Sequence, residues 1–169
     1  MAWILARIVA LDKSIDQALS GMHTPGLRRS MEMLTFIGSG YCCFPLYVMA
    51  LAFAWQSVTP LLAPILRAEV VLFPLVVALR LAIRRERPCI RVVRGWEAWN
   101  RFSFPSYHAA RICVIALAIS AQMPHLIPTM VCMAMIVCST RLVLHRHYLS
   151  DVLAGSILGC FVYYVVTLR

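Results

Sequence analysis

A long apolar run dominates the sequence: no charged residue occurs from Met33 to Leu66. About 20 apolar residues suffice to cross the hydrocarbon core of a bilayer. The run is therefore too long for one span, and Pro45, Pro60 and Pro64 interrupt it. Overall, 62% of the 169 residues are hydrophobic and 14% are charged, and a chain of this length could not hide so much apolar surface from water as a soluble globule. The composition predicts one compact membrane domain.

Apolar segments separated by charged loops predict an all-α fold, a polytopic helical bundle with about five membrane-spanning helices. Apolar residues recur at helical spacing near the start, so residues 1–26 are expected to form an amphipathic helix in the membrane interface. We expect Ser20-Gly21 and Pro25-Gly26 to end this helix. The whole chain, 1–169, is interpreted as a single domain. The predicted spans are Met33–Trp55, Arg67–Arg85, Ser106–Gln122, His125–Leu144 and Leu149–Leu168.

Arginine supplies nearly all of the positive charge. The chain has 16 basic residues and a net charge of +9, and Lys13 is the single lysine. A guanidinium group can grip a phosphate in two places, which favours oxyanion binding at a membrane. The alternative is that the arginines only mark the cytoplasmic side of the membrane. Most of them fall on one predicted face, which we therefore expect to be cytoplasmic. Nucleic acid is not an expected partner, because no polar basic domain is present to hold it.

The seven cysteines show no C-x-x-C spacing. Zinc ligation is therefore not expected, and buried free thiols are the simplest interpretation.

Chemistry-bearing side chains occur in three segments, each at a predicted membrane boundary. The segment Arg80–Pro88 has two arginines seven residues apart, which a helix places on one face. In the segment Pro105–His108 a proline opens a helix, and the free N–H groups that follow form an anion site. His147 and Asp151 are four residues apart, so on a helix the carboxylate can hold one imidazole nitrogen protonated and leave the other free to attack.

In this order, the patterns Arg-x6-Arg-Pro, Pro-Ser-x-His and Thr-Arg-x5-His-x3-Asp resemble the signature segments of the type-2 phosphatidic acid phosphatase superfamily. That superfamily also includes vanadium haloperoxidases, but the predicted spans argue against a haloperoxidase. The resemblance covers Arg80–Asp151. It implies a membrane lipid phosphatase surrounded by membrane lipids. Its substrate would be a lipid phosphate, namely an isoprenoid monophosphate or diphosphate, phosphatidic acid or phosphatidylglycerol phosphate. The sequence around His108 is most similar to that of members acting on isoprenoid diphosphates.

The resemblance also implies a mechanism with a phosphohistidine intermediate. His147 would attack phosphorus and Asp151 would orient it. His108 would protonate the leaving oxygen and then activate the water that releases phosphate. No metal or other cofactor is expected, since arginines neutralise the charge on the phosphate. The phosphate-binding groups would be the side chains of Arg80, Arg87, Ser106 and Arg141 and the backbone N–H of Tyr107.

The chain departs from the family pattern at three positions. Arg80 replaces the usual lysine and Thr140 replaces the usual serine, and both changes keep the chemical character of the side chain. Tyr107 replaces the usual glycine. Its side chain could narrow the pocket, bar bulky head groups or force a backbone change. No nucleophile or proton-transfer group is lost, so activity is expected.

Two non-enzymatic alternatives remain open. The chain could be a catalytically impaired protein that binds lipid phosphates, which Tyr107 favours, or a small transporter or structural bundle. The oligomeric state is unknown. His145 is interpreted as structural or interfacial. The arginines expected to lie at the lipid headgroups are Arg28, Arg29, Arg84, Arg85, Arg91 and Arg94.

Overall fold

The computed structural model describes residues 2–21, 24–89 and 95–168. Over these ranges the fold is all-helical, as predicted, with 85% helix and no strand. Arg91 and Arg94, together with the side chain of Trp96, lie outside the described part. The α-helices are α1 (Ala2–Ser20), α2 (Pro25–Phe36), α3 (Gly40–Ile83), α4 (Tyr107–Gln122), α5 (Ile127–Val143) and α6 (Leu149–Thr167), and short 3-10 helices cover Gly95–Arg101 and Pro124–Leu126.

The N-terminal region forms two helices where one was predicted. The Thr24 side chain accepts a hydrogen bond from the backbone N–H of Leu27 at 3.3 Å and so caps the start of α2. Pro25 occupies the first turn, where its missing N–H removes no helical hydrogen bond. The prediction that Pro25-Gly26 ends the amphipathic helix was therefore wrong, because these residues begin the next one.

The long helix α3 turns back on itself. Ala54 has non-helical backbone angles, with φ −141° and ψ 36°. The Arg111 guanidinium lies 5.2 Å from the Phe44 ring centroid and also pairs with Glu69. In a straight helix Phe44 and Glu69 would be about 38 Å apart. The chain therefore reverses near Ala54, and α3 consists of two packed arms.

These breaks correct the first two predicted spans. Met33–Trp55 is not one helix, since α2 ends at Phe36 and Ser39 caps a new helix by accepting from Cys42 N at 3.2 Å. Arg67, predicted to begin the second span, lies within the second arm of α3. The other predicted spans agree with α4, α5 and α6 to within a few residues.

The protein is an integral membrane protein. In the described ranges, the helical stretches long and apolar enough to cross a bilayer are Pro25–Ile83, Pro124–Val143 and Leu149–Thr167. Helix α4 is apolar but shorter, with 16 residues. The count of five spanning helices stays a prediction, because it depends on counting both arms of α3 and this short helix.

Helix α4 lies at the centre of the bundle and packs most extensively against α6. Two glycines of α6 make this approach possible. A Cβ atom on Gly155 would lie 2.3 Å from the Ser106 carbonyl oxygen, and one on Gly159 would lie 2.2 Å from that of Ala110. Since these contacts are with backbone, no side-chain rearrangement could relieve them. The spacing is the small-xxx-small pattern typical of close helix pairs in membranes.

We expect Gly159→Ala to lower the free energy of unfolding by about 1–3 kcal/mol, because overpacking forces the two helices apart. The measurement is the thermal unfolding midpoint of the detergent-solubilised protein. Gly26→Ala is the matched control, since a Cβ atom there has nothing within 4 Å. Equal midpoints for Gly159→Ala and wild type would contradict the proposed close contact.

Candidate active site

The structure brings the three chemistry-bearing segments together at one end of the bundle. The end of α3, the start of α4 and the loop between α5 and α6 meet there through backbone hydrogen bonds. The N–H of Ser106 donates to the carbonyl of Asp151 at 3.0 Å. The N–H of Ser103 donates to Arg85 O at 2.8 Å, and that of Cys89 to His145 O at 3.1 Å. The relative positions of the three segments are thus fixed by main chain.

Arg80 and Arg87 lie side by side and are buried, with 2% and 7% of their surface exposed. Asn100 holds them together: its side-chain oxygen accepts from Arg80 Nη1 at 2.8 Å and from Arg87 Nη2 at 3.2 Å. Arg80 also donates to Pro105 O, and Arg87 donates to the Asn100 and Arg146 carbonyls. The two guanidinium groups are therefore pre-aligned, which favours binding of a tetrahedral anion.

A third buried arginine, Arg141, reaches the site from the end of α5. Its Nη1 donates to the Thr35 hydroxyl at 2.7 Å, and both residues are at most 5% exposed. Helix α2 thus contributes to the site, although its sequence carries no motif that predicted this.

The imidazole of His147 has a defined tautomer. Its Nδ1 lies 2.8 Å from the Ser103 carbonyl oxygen, which can only accept. Nδ1 therefore carries the proton, and the lone pair on Nε2 faces Arg87 Nη1 at 3.3 Å. The Asp151 carboxylate is 3.9 Å from Nδ1, which is ion-pair distance rather than a hydrogen bond. The carbonyl of Ser103 thus sets the tautomer, and Asp151 adds a nearby negative charge.

His147 is neutral at physiological pH. Burial lowers its pKa well below the usual 6.5, and the positive charges of Arg87, Arg141 and Arg80 lower it further. His108 also contributes to this shift, so the two imidazoles lie close enough for their charges to interact. A neutral imidazole with an unprotonated Nε2 beside guanidinium groups is suited to attack an anionic phosphorus centre.

The start of α4 contributes a buried hydroxyl and an imidazole. Ser106 is fully buried, and its Oγ has no hydrogen-bond partner within the described part of the chain. A buried unsatisfied hydroxyl is costly, so this atom is suited to receive a ligand. The His108 ring lies beside Gly38, where a Cβ atom would be 3.7 Å from its Cδ2.

Tyr107 turns its side chain away from this end of α4 and into the bundle. Its hydroxyl donates to Glu69 of α3, and its ring lies 4.4 Å from the Arg111 guanidinium. Glu69 and Arg111 form a buried ion pair at 2.5 Å. Narrowing of the pocket was one of three possible effects of this side chain, and its direction into the bundle does not support it. Its backbone N–H stays at the helix start, where a phosphate can reach it.

Arg85 is part of the site, although it was expected at the lipid headgroups. Its guanidinium pairs with Asp151 at 2.8 Å and with Asp12 of α1 at 2.6 Å. The described headgroup arginines Arg28, Arg29 and Arg84 are exposed. His145 pairs with Asp16 of α1 at 2.5 Å, consistent with a structural role.

Sequence reasoning missed Asn100, Ser103, Thr35 and Asp12. Asn100 and Ser103 lie between two signature segments, so their position in the chain could have predicted that they lie near the site. Thr35 and Asp12 lie far from every motif.

A cavity of about 690 Å³ opens beside Arg87, between α1, α2 and the α5–α6 loop. Within the described ranges, no group of three or more His, Cys, Asp or Glu side chains is arranged to hold a metal ion.

The sequence model of the PAP2 superfamily matches residues 47–169, which include all three segments. The chain belongs to the PAP2 superfamily.

Solved structures of membrane PAP2 proteins share the fold. One is the transmembrane PAP2-type phosphatidylglycerolphosphate phosphatase from Bacillus subtilis, with a TM-score of 0.72 and 24% identity over 95% of this chain and 85% of that one. Another is Aquifex aeolicus LpxE, with a TM-score of 0.69 and 24% identity over 95% of this chain and 94% of that one. At this identity the likeness concerns the fold. No curated protein matches the chain.

The neutral His147 of this PAP2 protein makes its stability depend on pH. In the unfolded chain the group returns to a pKa near 6.5, so below that pH the unfolded state binds a proton that the folded state does not. The contribution of neutral His147 to the free energy of unfolding is fully present above that pH and is lost as the pH falls below it. Between about pH 7.5 and about pH 5.5 we expect this group to lower the free energy of unfolding by about 1 kcal/mol.

The measurement is the unfolding midpoint of ligand-free protein at the two pH values. His147→Gln should lose this part of the pH dependence, whereas His125→Gln, at an exposed position, should retain it. The same pH dependence in wild type and His147→Gln would contradict a neutral buried imidazole.

Proposed function

We propose that this PAP2 protein is a membrane lipid phosphatase that works through a phosphohistidine at His147. The observation that carries the proposal is the unprotonated Nε2 of this buried imidazole, which accepts a hydrogen bond from Arg87 Nη1 at 3.3 Å and so lies beside a phosphate-binding arginine. Superfamily membership and the membrane fold support a lipid phosphatase in general. The residue roles below are part of the proposal.

In the first step the Nε2 lone pair attacks phosphorus, and the bond to the leaving oxygen breaks. His108, which is neutral in the ligand-free protein because burial and nearby arginines lower its pKa, takes a proton from the bound phosphate monoanion and gives it to that oxygen. The guanidinium groups stabilise the negative charge that spreads over the non-bridging oxygens in the transition state. The phosphate contacts proposed are the side chains of Arg80, Arg87, Arg141 and Ser106 and the N–H of Tyr107.

In the second step a water molecule attacks phosphorus and gives a proton to His108. The bond between nitrogen and phosphorus breaks, inorganic phosphate leaves, and His147 returns to its neutral form. Asp151 stabilises the positive charge that the imidazole carries while it is phosphorylated. Splitting one difficult displacement into two is the advantage of a covalent intermediate. We propose that the reaction uses no metal or other cofactor, since the arginines supply the positive charge.

The substrate we propose is a lipid whose phosphate enters the arginine cluster while its tails stay in the bilayer. The cavity of about 690 Å³ beside Arg87 offers space for the part of the substrate beyond the phosphate. The candidates are an isoprenoid monophosphate or diphosphate, phosphatidic acid and phosphatidylglycerol phosphate, and the last is the substrate in the name of the Bacillus subtilis protein. The hydrogen bond from the Tyr107 hydroxyl to Glu69 supports an active enzyme over an impaired one, because it directs the side chain into the bundle.

We expect purified protein in detergent to release phosphate from at least one of these lipids. His147→Ala should abolish the release, and Asp151→Asn should slow it, because the phosphorylated imidazole loses its countercharge. Release is measured as free inorganic phosphate from a panel that covers all candidate lipids.

His125→Ala is the control, because His125 is exposed in the short helix that follows α4. An acid-labile phosphoenzyme should form in the control and not in His147→Ala. Equal release by wild type and His147→Ala would overturn the mechanism.

We propose that the active face lies on the cytoplasmic side. Basic residues cluster on this face, and cytoplasmic loops of membrane proteins carry an excess of Lys and Arg. Arg84→Cys would report on this face and His125→Cys on the other end of α4, in a background with the exposed Cys89 and Cys132 changed to serine. In intact cells, a membrane-impermeant maleimide should label the cysteine at 125 and not the one at 84. The reverse pattern would contradict the cytoplasmic assignment.

A further inference from the structure

A buried acid lies on the N-terminal helix. Asp12 is 2% exposed, although α1 has mainly exposed side chains and was predicted to lie in the membrane interface. Its carboxylate points into the protein and accepts hydrogen bonds from the backbone N–H and the hydroxyl of Ser150, at 3.0 and 2.5 Å. Ser150 is the neighbour of Asp151 in the chain. A buried carboxylate is costly unless it is paired, so its position calls for an explanation.

Arg85 connects Asp12 to the active site. One terminal nitrogen of its guanidinium donates to Asp12 Oδ2 at 2.6 Å, and the other donates to Asp151 Oδ1 at 2.8 Å. The second oxygen of Asp151 accepts from the backbone N–H of Tyr148 at 2.9 Å. One arginine is thus shared by two carboxylates, and the group as a whole carries one net negative charge.

The shared arginine matters for the chemistry of His147. When the imidazole bonds to phosphorus it becomes positively charged, and Asp151, 3.9 Å away, is the nearby countercharge. An arginine paired with Asp151 alone would cancel that countercharge. Asp12 prevents this by neutralising Arg85. Burial raises the pKa of Asp12, but hydrogen bonds from Arg85 and Ser150 bring it below its ordinary value, so the carboxylate is charged.

We propose that Asp12 is a positioning residue that balances the charge of Arg85 and so keeps the negative charge of Asp151 available to His147. The proposal builds on the phosphohistidine mechanism above. It makes the N-terminal helix a part of the active site: an α1 that leaves the bundle removes the balancing charge.

Orthovanadate provides a test that does not require turnover, because its vanadium atom can bond to an imidazole nitrogen as phosphorus would. Asp12→Asn keeps the shape of the side chain and removes its charge. We expect it to raise the Kd for orthovanadate by about 10- to 100-fold, the effect of one unit charge several ångströms away at an effective dielectric constant of about 20. Binding is measured by titration calorimetry on the detergent-solubilised full chain.

The double variant Asp12→Asn/Arg85→Gln separates charge balance from simple docking. It restores one net negative charge, so it should bind orthovanadate about tenfold more tightly than Asp12→Asn alone. A docking role predicts equal or weaker binding, because the double variant loses more contacts. Asp12→Glu, which keeps the charge, should remain near wild type.

Asp16→Asn is the matched control. It removes the same charge from α1 one turn away, but its partner is His145 rather than Arg85. Its Kd should stay within about threefold of wild type. A weakening equal to that of Asp12→Asn would show that docking of α1, not charge balance, is the cause, and would overturn the proposal. Unchanged binding by Asp12→Asn, or no binding by wild type, would also overturn it.

Arg85→Gln alone provides a second test if Asp12→Asn does not fold. Removing the positive charge leaves Asp151 uncompensated, so orthovanadate should bind at least as tightly as to wild type. Weaker binding would contradict the charge balance. The lipid panel is run with the same variants. If orthovanadate binds as expected but no lipid is hydrolysed, the proposed function is refuted and the role of Asp12 stands. If lipid is hydrolysed but the Kd of Asp12→Asn for orthovanadate equals that of wild type, the role of Asp12 is refuted and the proposed function stands.

Discussion

The contact between α4 and α6 positions everything else in the site. The N–H of Ser106 donates to the Asp151 carbonyl at 3.0 Å, which ties the start of one helix to the start of the other. Gly155 and Gly159 let the two backbones approach this closely. This contact places three groups at one level of the bundle: the Ser106 hydroxyl, the N–H groups at the start of α4 and the Asp151 carboxylate. The arginines and His147 then reach this level from neighbouring elements.

Buried arginines in this bundle are of two electrostatic kinds. Arg111 is neutralised by a carboxylate, Glu69, and so serves packing between α3 and α4. Within the described residues, the hydrogen bonds of Arg80 go instead to uncharged oxygens of Asn100 and Pro105. Its direction is fixed while its charge remains available to an anion. The choice of acceptor, charged or neutral, thus separates an arginine that stabilises the fold from one suited to hold phosphate.

The sequence was sufficient to predict the local features. The helical spacing of side chains is a local property of the sequence. Helices α4, α5 and α6 and the three chemistry-bearing segments could therefore be predicted from the order of residues. The break at Ile37–Ser39 and the reversal at Ala54 could not be predicted in this way. Apolar residues and prolines are compatible with either a helix or a turn, and contacts with distant residues decide between the two. Asp12 was missed for the same reason, since its partner Arg85 lies 73 residues away.

The orientation of Tyr107 has a consequence for how such chains are recognised. In this chain the residue at the third position of Pro-Ser-x-His places its side chain in the interior behind α4, where Glu69 and Arg111 contact it. A large side chain at this position is therefore accommodated by packing inside the bundle. A search pattern that insists on glycine there would discard this chain, whereas one that leaves the position open and looks for an acid on the preceding helix would retain it.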